Sequence, residues 1–348
     1  MFNSKKQGRV LERVLTKKER QEKIPIWFMR QAGRYLPEYH KVMNNFENFL
    51  DACYTPEVVE EITLQPIKRF DIDAAIIFSD IMVVLDALGY EVNFIRGSGP
   101  KIGDILYQCS TNESITKLQP IFDSIYRVRN SLSSDKTLIG FAGSPWTLLT
   151  YTLGKENNFS RIKKEKYLED SKEHTKNKVT ELIDKITHIT SHYLLKQIES
   201  GVDVIQLFDS SVNLLPVEIF EEYVITPTKK IVDFIHAKHP GFPIIGFPMG
   251  AGVMYKTYLE KTGISAISVD YSVPTFWIKK HLKGVIQGNL DPFLLAYNQK
   301  ASDNQSVKIV RELGDKPLIF NLGHGILPET PVQHVESLIK SVREASQV

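Results

Sequence analysis

Eight short apolar runs punctuate this chain: PIWFM from residue 25, AAIIFS from 74, TLIGFA from 137, DVIQLF from 203, PIIGF from 243, AISVD from 266, GVIQG from 284 and PLIFNL from 317. Most are apolar at every position rather than at every second one. That is the signature of strands covered on both faces. Between them lie segments of helical period whose starts carry Thr55-Pro56, Asp291-Pro292 and Thr330-Pro331, a capping residue followed by a proline suited to a first helical turn. Strand, loop and capped helix repeat along the chain, which requires parallel strands joined by helical crossovers. An open doubly wound sheet and a closed barrel both satisfy that grammar. Eight strands without a break in composition favour the barrel, and 348 residues suit one.

The expectation is therefore an α/β chain forming a single (β/α)8 TIM barrel domain over residues 1–348, with residues 1–24 as a solvated helical extension. Two stretches interrupt the alternation. Residues 90–103, YEVNFIRGSGPKIG, read as a strand pair around a glycine turn, and residues 154–178 as a charged excursion. The uncharged stretch TLIGFAGSPWTLLTYTLG approaches membrane-span length, but Gly140, Gly143, Ser144 and Pro145 in its middle mark a buried strand and a turn.

Charge narrows the partners. Lys and Arg number 43 against 41 Asp and Glu, too even for a nucleic-acid or membrane-surface protein, so any anion binding must be local. Cys53 and Cys109 are the only cysteines and form no C-x-x-C pair, which argues for a reducing cytoplasm and against a thiolate metal site. His188 and His192 stand four apart on a helix pattern, but without the glutamate of a zinc-protease motif they read as a solvated face.

Barrels of this kind gather functional groups in the loops after their strands. After the first run comes Arg30-Gln31-Ala32-Gly33-Arg34; after the second, Asp80; after the third, a loop leading to Tyr151; after the fourth, Asp209-Ser210-Ser211; after the last, Gly323-His324-Gly325, and these positions are expected to converge on one mouth. Arginine keeps its charge and offers a planar fork that matches a carboxylate. Two arginines with a histidine point to a ligand bearing several carboxylates, and Gly33 permits a tight turn that aims the amides of Gln31 and Ala32 at an anion. The plainer alternative pairs Arg30 and Arg34 with Glu38 or other nearby acids. Asp80 is set among apolar residues and needs a partner, either a helix N-terminus, an arginine, or a positive charge developing on a substrate.

The segments PIWFMRQAGRYLPEY, IIFSDIMVV, GFAGSPWTLLTY, VIQLFDS, VIQGNLDP and FNLGHGILPETP together resemble the successive signatures of the uroporphyrinogen decarboxylase family, over about residues 25–340. The resemblance implies a cofactor-independent and metal-free carboxy-lyase, a cytoplasmic homodimer, that converts uroporphyrinogen III to coproporphyrinogen III in haem biosynthesis. It implies Asp80 and Arg30 as catalytic groups, with Asp80 beneath the macrocycle and Arg30 delivering a proton or orienting the reacting acetate. Arg30, Gln31, Ala32, Gly33, Arg34, Asp80, Tyr151, Ser210 and His324 would contact substrate. Leu85, Met249, the GKENNFS run and the SVNL segment depart from the family pattern and put the rim of the site in doubt. The rival readings are a corrinoid-dependent methyltransferase, which lacks its cysteine ligands here, and a tetrapyrrole carrier, which would not need Asp80.

Overall fold

The computed structural model describes residues 9–95, 99–153, 173–213 and 215–347. The described strands are β1 (Ala74–Ile76), β2 (Tyr90–Ile95), β3 (Gly99–Ile105), β4 (Thr137–Gly143), β5 (Val204–Asp209), β6 (Ile244–Pro248), β7 (Ala266–Ser268), β8 (Val285–Leu290) and β9 (Leu318–Leu322). Seven of them form one parallel sheet in the order β1-β4-β5-β6-β7-β8-β9, with helices in the connections. β2 and β3 pair separately as an antiparallel hairpin, as their sequence predicts. The reading of residues 154–178 as an excursion falls outside the described residues up to 172; a helix, Glu173–Glu199, follows.

The first apolar run is not a full strand. Only Ile26 pairs, with Phe320 of β9. Around it Phe320 N donates to Pro25 O at 2.9 Å, and Asp73 N, at the start of β1, donates to Ile26 O at 2.8 Å. One residue thus bridges both edges of the seven-stranded sheet and closes the barrel. The buried Asp73 carboxylate reinforces the closure: Oδ2 accepts from Ile26 N at 2.8 Å and from Arg343 Nη2 at 2.7 Å, while Lys23 Nζ stands 3.0 Å from Oδ1.

Strand residues alternate in facing, so Gln206 and Phe208 of β5 share one side and Leu207 and Asp209 the other. Gln206 faces the lumen, because Gln287 Nε2 of β8 reaches across to its Oε1 at 3.0 Å. Gln287 also bonds Ser268 Oγ at 3.0 Å and accepts from Trp27 Nε1 at 2.9 Å. This fully buried polar rung is satisfied partner by partner, as a buried network must be. Above it, toward the strand ends, Phe141, Phe208 and Phe247 meet edge to face. Phe208 is half-buried, so these rings floor the barrel mouth.

Two expectations about helices need correction. Thr330 does not cap a helix: helix Val332–Ser346 starts later, with Pro331 as its cap. Thr55 does take the N-cap position before Pro56, although its hydroxyl turns back to Asp51 O at 2.7 Å, and Asp291 caps through its side chain, accepting from Phe293 N at 2.8 Å. More consequentially, the N-terminal helix Val10–Lys17 is not solvated. Leu11, Val14 and Leu15 are buried, and the helix lies against β4 and β9. The charged residues around these three conceal a narrow apolar stripe that plugs the N-terminal end of the barrel. Leu11→Ala should lower the free energy of unfolding by about 2–5 kcal/mol in a urea titration, whereas a solvated helix would lose less than about 0.5 kcal/mol.

Candidate active site

The closing segment runs directly into the site. Arg30 adopts φ 59, a left-handed conformation rare outside glycine. Such strain costs roughly 1–3 kcal/mol and concentrates at ligand clamps. It turns the chain so that the Arg30 stem lies over Gly325, where an added Cβ would stand 2.6 Å from Arg30 Cγ and 3.0 Å from Nε. No hydrogen bond or ion pair holds the Arg30 guanidinium among the described residues. The same is true of the exposed Arg34. Glu38, the partner considered from sequence, is taken by Arg69 in a bidentate pair at 2.7 and 2.9 Å. The plainer alternative for the two arginines is therefore not realised.

Gln31 needs a correction. Its amide donates to Phe28 O at 3.1 Å, its Nε2 to Ala74 O at 3.0 Å, and its Oε1 accepts from Phe28 N at 3.0 Å. Tyr35 OH adds a bond to Gln31 O at 2.9 Å. Gln31 is buried, and its backbone N–H, its Oε1 and one Nε2 hydrogen are taken by protein partners, so its main-chain amide is not available to an anion. The N–H groups of Ala32 and Gly33 have no acceptor among the described residues and stay available to an anion.

Asp80 lies recessed after β1. Its Oδ1 accepts from Met82 N at 2.9 Å, which fixes the turn leading into helix Val83–Ala87; Met82 is the N-cap of that helix and no side chain caps it, so the capping role considered for Asp80 is not realised. The other oxygen has no partner among the described residues, and no ion pair joins Asp80 to Arg30. Burial raises the carboxyl's pKa, against the Met82 N–H and the Arg30 charge, which favour the anion. The reciprocal effect on Arg30 has the same origin: burial lowers its proton affinity, Asp80 raises it and Arg34 lowers it. Arg30 is open to solvent yet surrounded by protein, as at the bottom of a wide mouth.

Tyr151, in the last turn of helix Pro145–Thr152, is half-buried, and its pKa rises through burial and the Asp80 charge, with Arg30 opposing. His324 accepts from Gly325 N at 2.7 Å through Nδ1, which places its proton on Nε2. Burial and the Arg30 charge bring its pKa down to about 4, with Asp270 opposing. At neutral pH His324 is thus an uncharged donor, where the sequence had counted it with the cations. Asp80, Arg34, Tyr151 and His324 all act electrostatically on Arg30 or it on them, and so share one mouth. Ser210 is linked by hydrogen bonding rather than charge: its N–H donates to Thr147 Oγ1 at 2.8 Å.

Sequence reading missed Phe208, which supplies an apolar floor, and Thr147, which bonds Asp209 at 2.6 Å behind Ser210. It grouped Asp209 with Ser210 at the mouth, whereas the Asp209 side chain is buried behind the strand, and it named Gly325 without the space that residue gives Arg30. Among the described residues no three His, Cys, Asp or Glu side chains converge as metal ligands would.

The strand ends of this parallel α/β barrel thus bring guanidinium groups and a recessed carboxyl together above an aromatic floor. The family model described as uroporphyrinogen decarboxylase (URO-D) matches residues 9–345. Uroporphyrinogen decarboxylase of Wolbachia sp. subsp. Brugia malayi (strain TRS) is 48% identical over 339 residues, 96% of this chain and 95% of that one. That of Rickettsia bellii (strain RML369-C) is 45% identical over 328 residues, 92% and 95% of the two chains. The chain belongs to the uroporphyrinogen decarboxylase family. A methyltransferase from Methanosarcina mazei superposes with a TM-score of 0.74 at 18% identity, covering 97% of this chain and 98% of that one, a likeness of fold.

Of the departures from the family pattern, Leu85 is fully buried in helix Val83–Ala87, Met249 follows β6 half-buried, and residues 154–160 lie outside the described residues. The close approach at Gly325 makes a specific expectation. Gly325→Ala should leave the thermal midpoint within about 2 °C, because only a flexible side chain must move, but displace the guanidinium and lower kcat/KM about tenfold or more.

Proposed function

We propose that this chain catalyses the cofactor-independent decarboxylation of the four acetate side chains of uroporphyrinogen III, giving coproporphyrinogen III in haem biosynthesis. The observation that carries this reading is the recessed Asp80 carboxylate, with one oxygen unpartnered and the Arg30 and Arg34 guanidinium groups in no ion pair among the described residues. Family membership supports the reaction class. Arg30 and Arg34 would grip acid arms, the Ala32 and Gly33 amides would support them, and Tyr151, Ser210 and neutral His324 would donate hydrogen bonds to further carboxylates.

The chemistry is governed by charge. Protonating a pyrrole carbon makes the ring a cationic electron sink. The acetate C–C bond then breaks, carbon dioxide leaves, and its electron pair neutralises the ring. A proton added to the exposed methylene carbon and one lost from the ring restore the aromatic pyrrole. Asp80 accepts the pyrrole N–H groups through its free oxygen and stabilises the cation, a preorganised effect worth roughly 10²–10³ in rate. Raised proton affinity does not oppose this, since the approaching cation favours the ionised form. Arg30 sits where its guanidinium, which keeps its charge, can orient the reacting acetate.

We further propose a cytoplasmic homodimer built from one barrel domain. Phe276, Phe293 and Tyr297, large and exposed in the helices after β7 and β8, are the surface that a second copy would cover. Among the described residues no helix is long and apolar enough to cross a membrane, and both cysteines are free thiols.

Purified protein incubated anaerobically with uroporphyrinogen III should release the hepta-, hexa-, penta- and tetracarboxylate series without added metal or cofactor; unchanged substrate with correctly folded protein would overturn the assignment. Asp80→Asn should depress kcat by about 10²–10³ while substrate affinity changes less than about tenfold. Equal losses in the two would reduce Asp80 to a ligand or a structural anchor.

A further inference from the structure

Behind the lumenal face of β5 lies a carboxyl that the proposed reaction leaves unused. Asp209 ends the strand, is 1% exposed, and faces away from Gln206 and Phe208 toward helix Pro145–Thr152. Oδ1 accepts from Thr147 Oγ1 at 2.6 Å, while Oδ2 has no partner among the described residues. A buried carboxyl with one oxygen unsatisfied is destabilising, and its pKa rises to about 7 through that burial. Packing alone would be served better by an apolar side chain of similar size.

The Thr147 hydroxyl explains what the carboxyl does there. It has one proton and two lone pairs. With the proton committed to Asp209, a lone pair is turned to the Ser210 N–H, 2.8 Å away. Removing the acceptor at Asp209 would free the rotor and release Ser210. Thr147 also stands four residues before Tyr151 on the same helix, so both side chains lie on one helical face. That helix is pinned to the same strand end by Ser144 N to Phe208 O and by Trp146 Nε1 to Ser211 O, each 2.7 Å. Met249 N closes the far side with a bond to Asp209 O at 2.9 Å.

We propose that Asp209, acting through the Thr147 hydroxyl, is a positioning residue that locks the Tyr151 helix onto the Ser210 turn and so sets the spacing of the two ligand-facing hydroxyls. The inference rests on the proposed substrate only in assigning those hydroxyls to carboxylates. A misplacement of about 1 Å in such a pair can cost on the order of 10² in rate. Neither Asp209 nor Thr147 touches substrate in this arrangement, since both lie behind the strand.

Two measurements test it. Thr147→Val, nearly isosteric, should lower kcat/KM for uroporphyrinogen III about tenfold, the scale of one lost hydrogen bond. In a Ser210→Ala background the same change should cost less than about threefold, because the group being positioned is gone. Asp209→Ala should behave like Thr147→Val, and Asp209→Asn, which keeps an acceptor for Thr147, should recover most of the activity. Independently of turnover, amide hydrogen exchange in the ligand-free protein should show Ser210 and Tyr151 losing protection together in Thr147→Val and Asp209→Ala. A Thr147→Val cost that persists in full without the Ser210 hydroxyl, or exchange at Ser210 that does not respond, overturns the proposal. Coupled exchange in a protein that leaves uroporphyrinogen III unchanged would keep the lock and reject the substrate.

Discussion

The structure depends on how the barrel closes. Seven strands leave two edges that must be joined, and the join is made around one residue, Ile26: its neighbours Pro25 and Trp27 bond Phe320 on one side, and its own carbonyl accepts from Asp73 N on the other. So short a bridge needs help, and the Asp73 carboxylate provides it by holding Ile26 N, Arg343 and Lys23 at once. The charge of Asp73 is buried but matched by two cations and a backbone donor, the condition under which a buried ion pair holds. Because the bridge lies four residues before Arg30, the bond that closes the barrel also delivers the first cation to the mouth.

The charges gathered at that mouth are held out of balance. Among the described residues Arg30 and Arg34 form no ion pair, and Asp80 keeps one oxygen without a partner within reach of the Arg30 charge. Left to itself such a set would collapse into an ion pair. Backbone prevents it: Arg30 is held in a left-handed turn with its stem across Gly325, and Asp80 is anchored through Met82 N. Gln31 serves that geometry by tying its turn to Ala74 at the foot of β1. Unpaired charges raise the local field without raising the chain's net charge of +2, so attraction for a polyacid is concentrated where it is used. His324 adds a donor without adding repulsion, because burial, aided by the Arg30 charge, disfavours its protonation.

Much of this was legible from residue order alone. The uniformly apolar runs predicted parallel strands, the position of Asp80 after one of them predicted a partner-seeking carboxyl, and the paired arginines predicted an anion site. The errors share a cause. PIWFM looked like a strand as long as the others, because an apolar run records burial and not the number of backbone bonds it makes. Residues 10–17 looked solvated, because three buried side chains on one helical face are hidden in a linear string of charges. Gln31 looked like a ligand-facing amide, because neighbours in sequence need not share an orientation.

The sequence by itself determined the fold class, the family and which residue types gather at the strand ends, since periodicity, capping pairs and long motifs are local properties of the chain. Only the tertiary structure decided which of those groups remain free. That Glu38 is consumed by Arg69, that Gly325 makes room for Arg30, and that Thr147 joins Asp209 to Ser210 are facts about residues 31, 295 and 62 positions apart. Hydrogen-bond and charge pairing are settled in space, within a few ångströms, and no pattern along the chain encodes those distances.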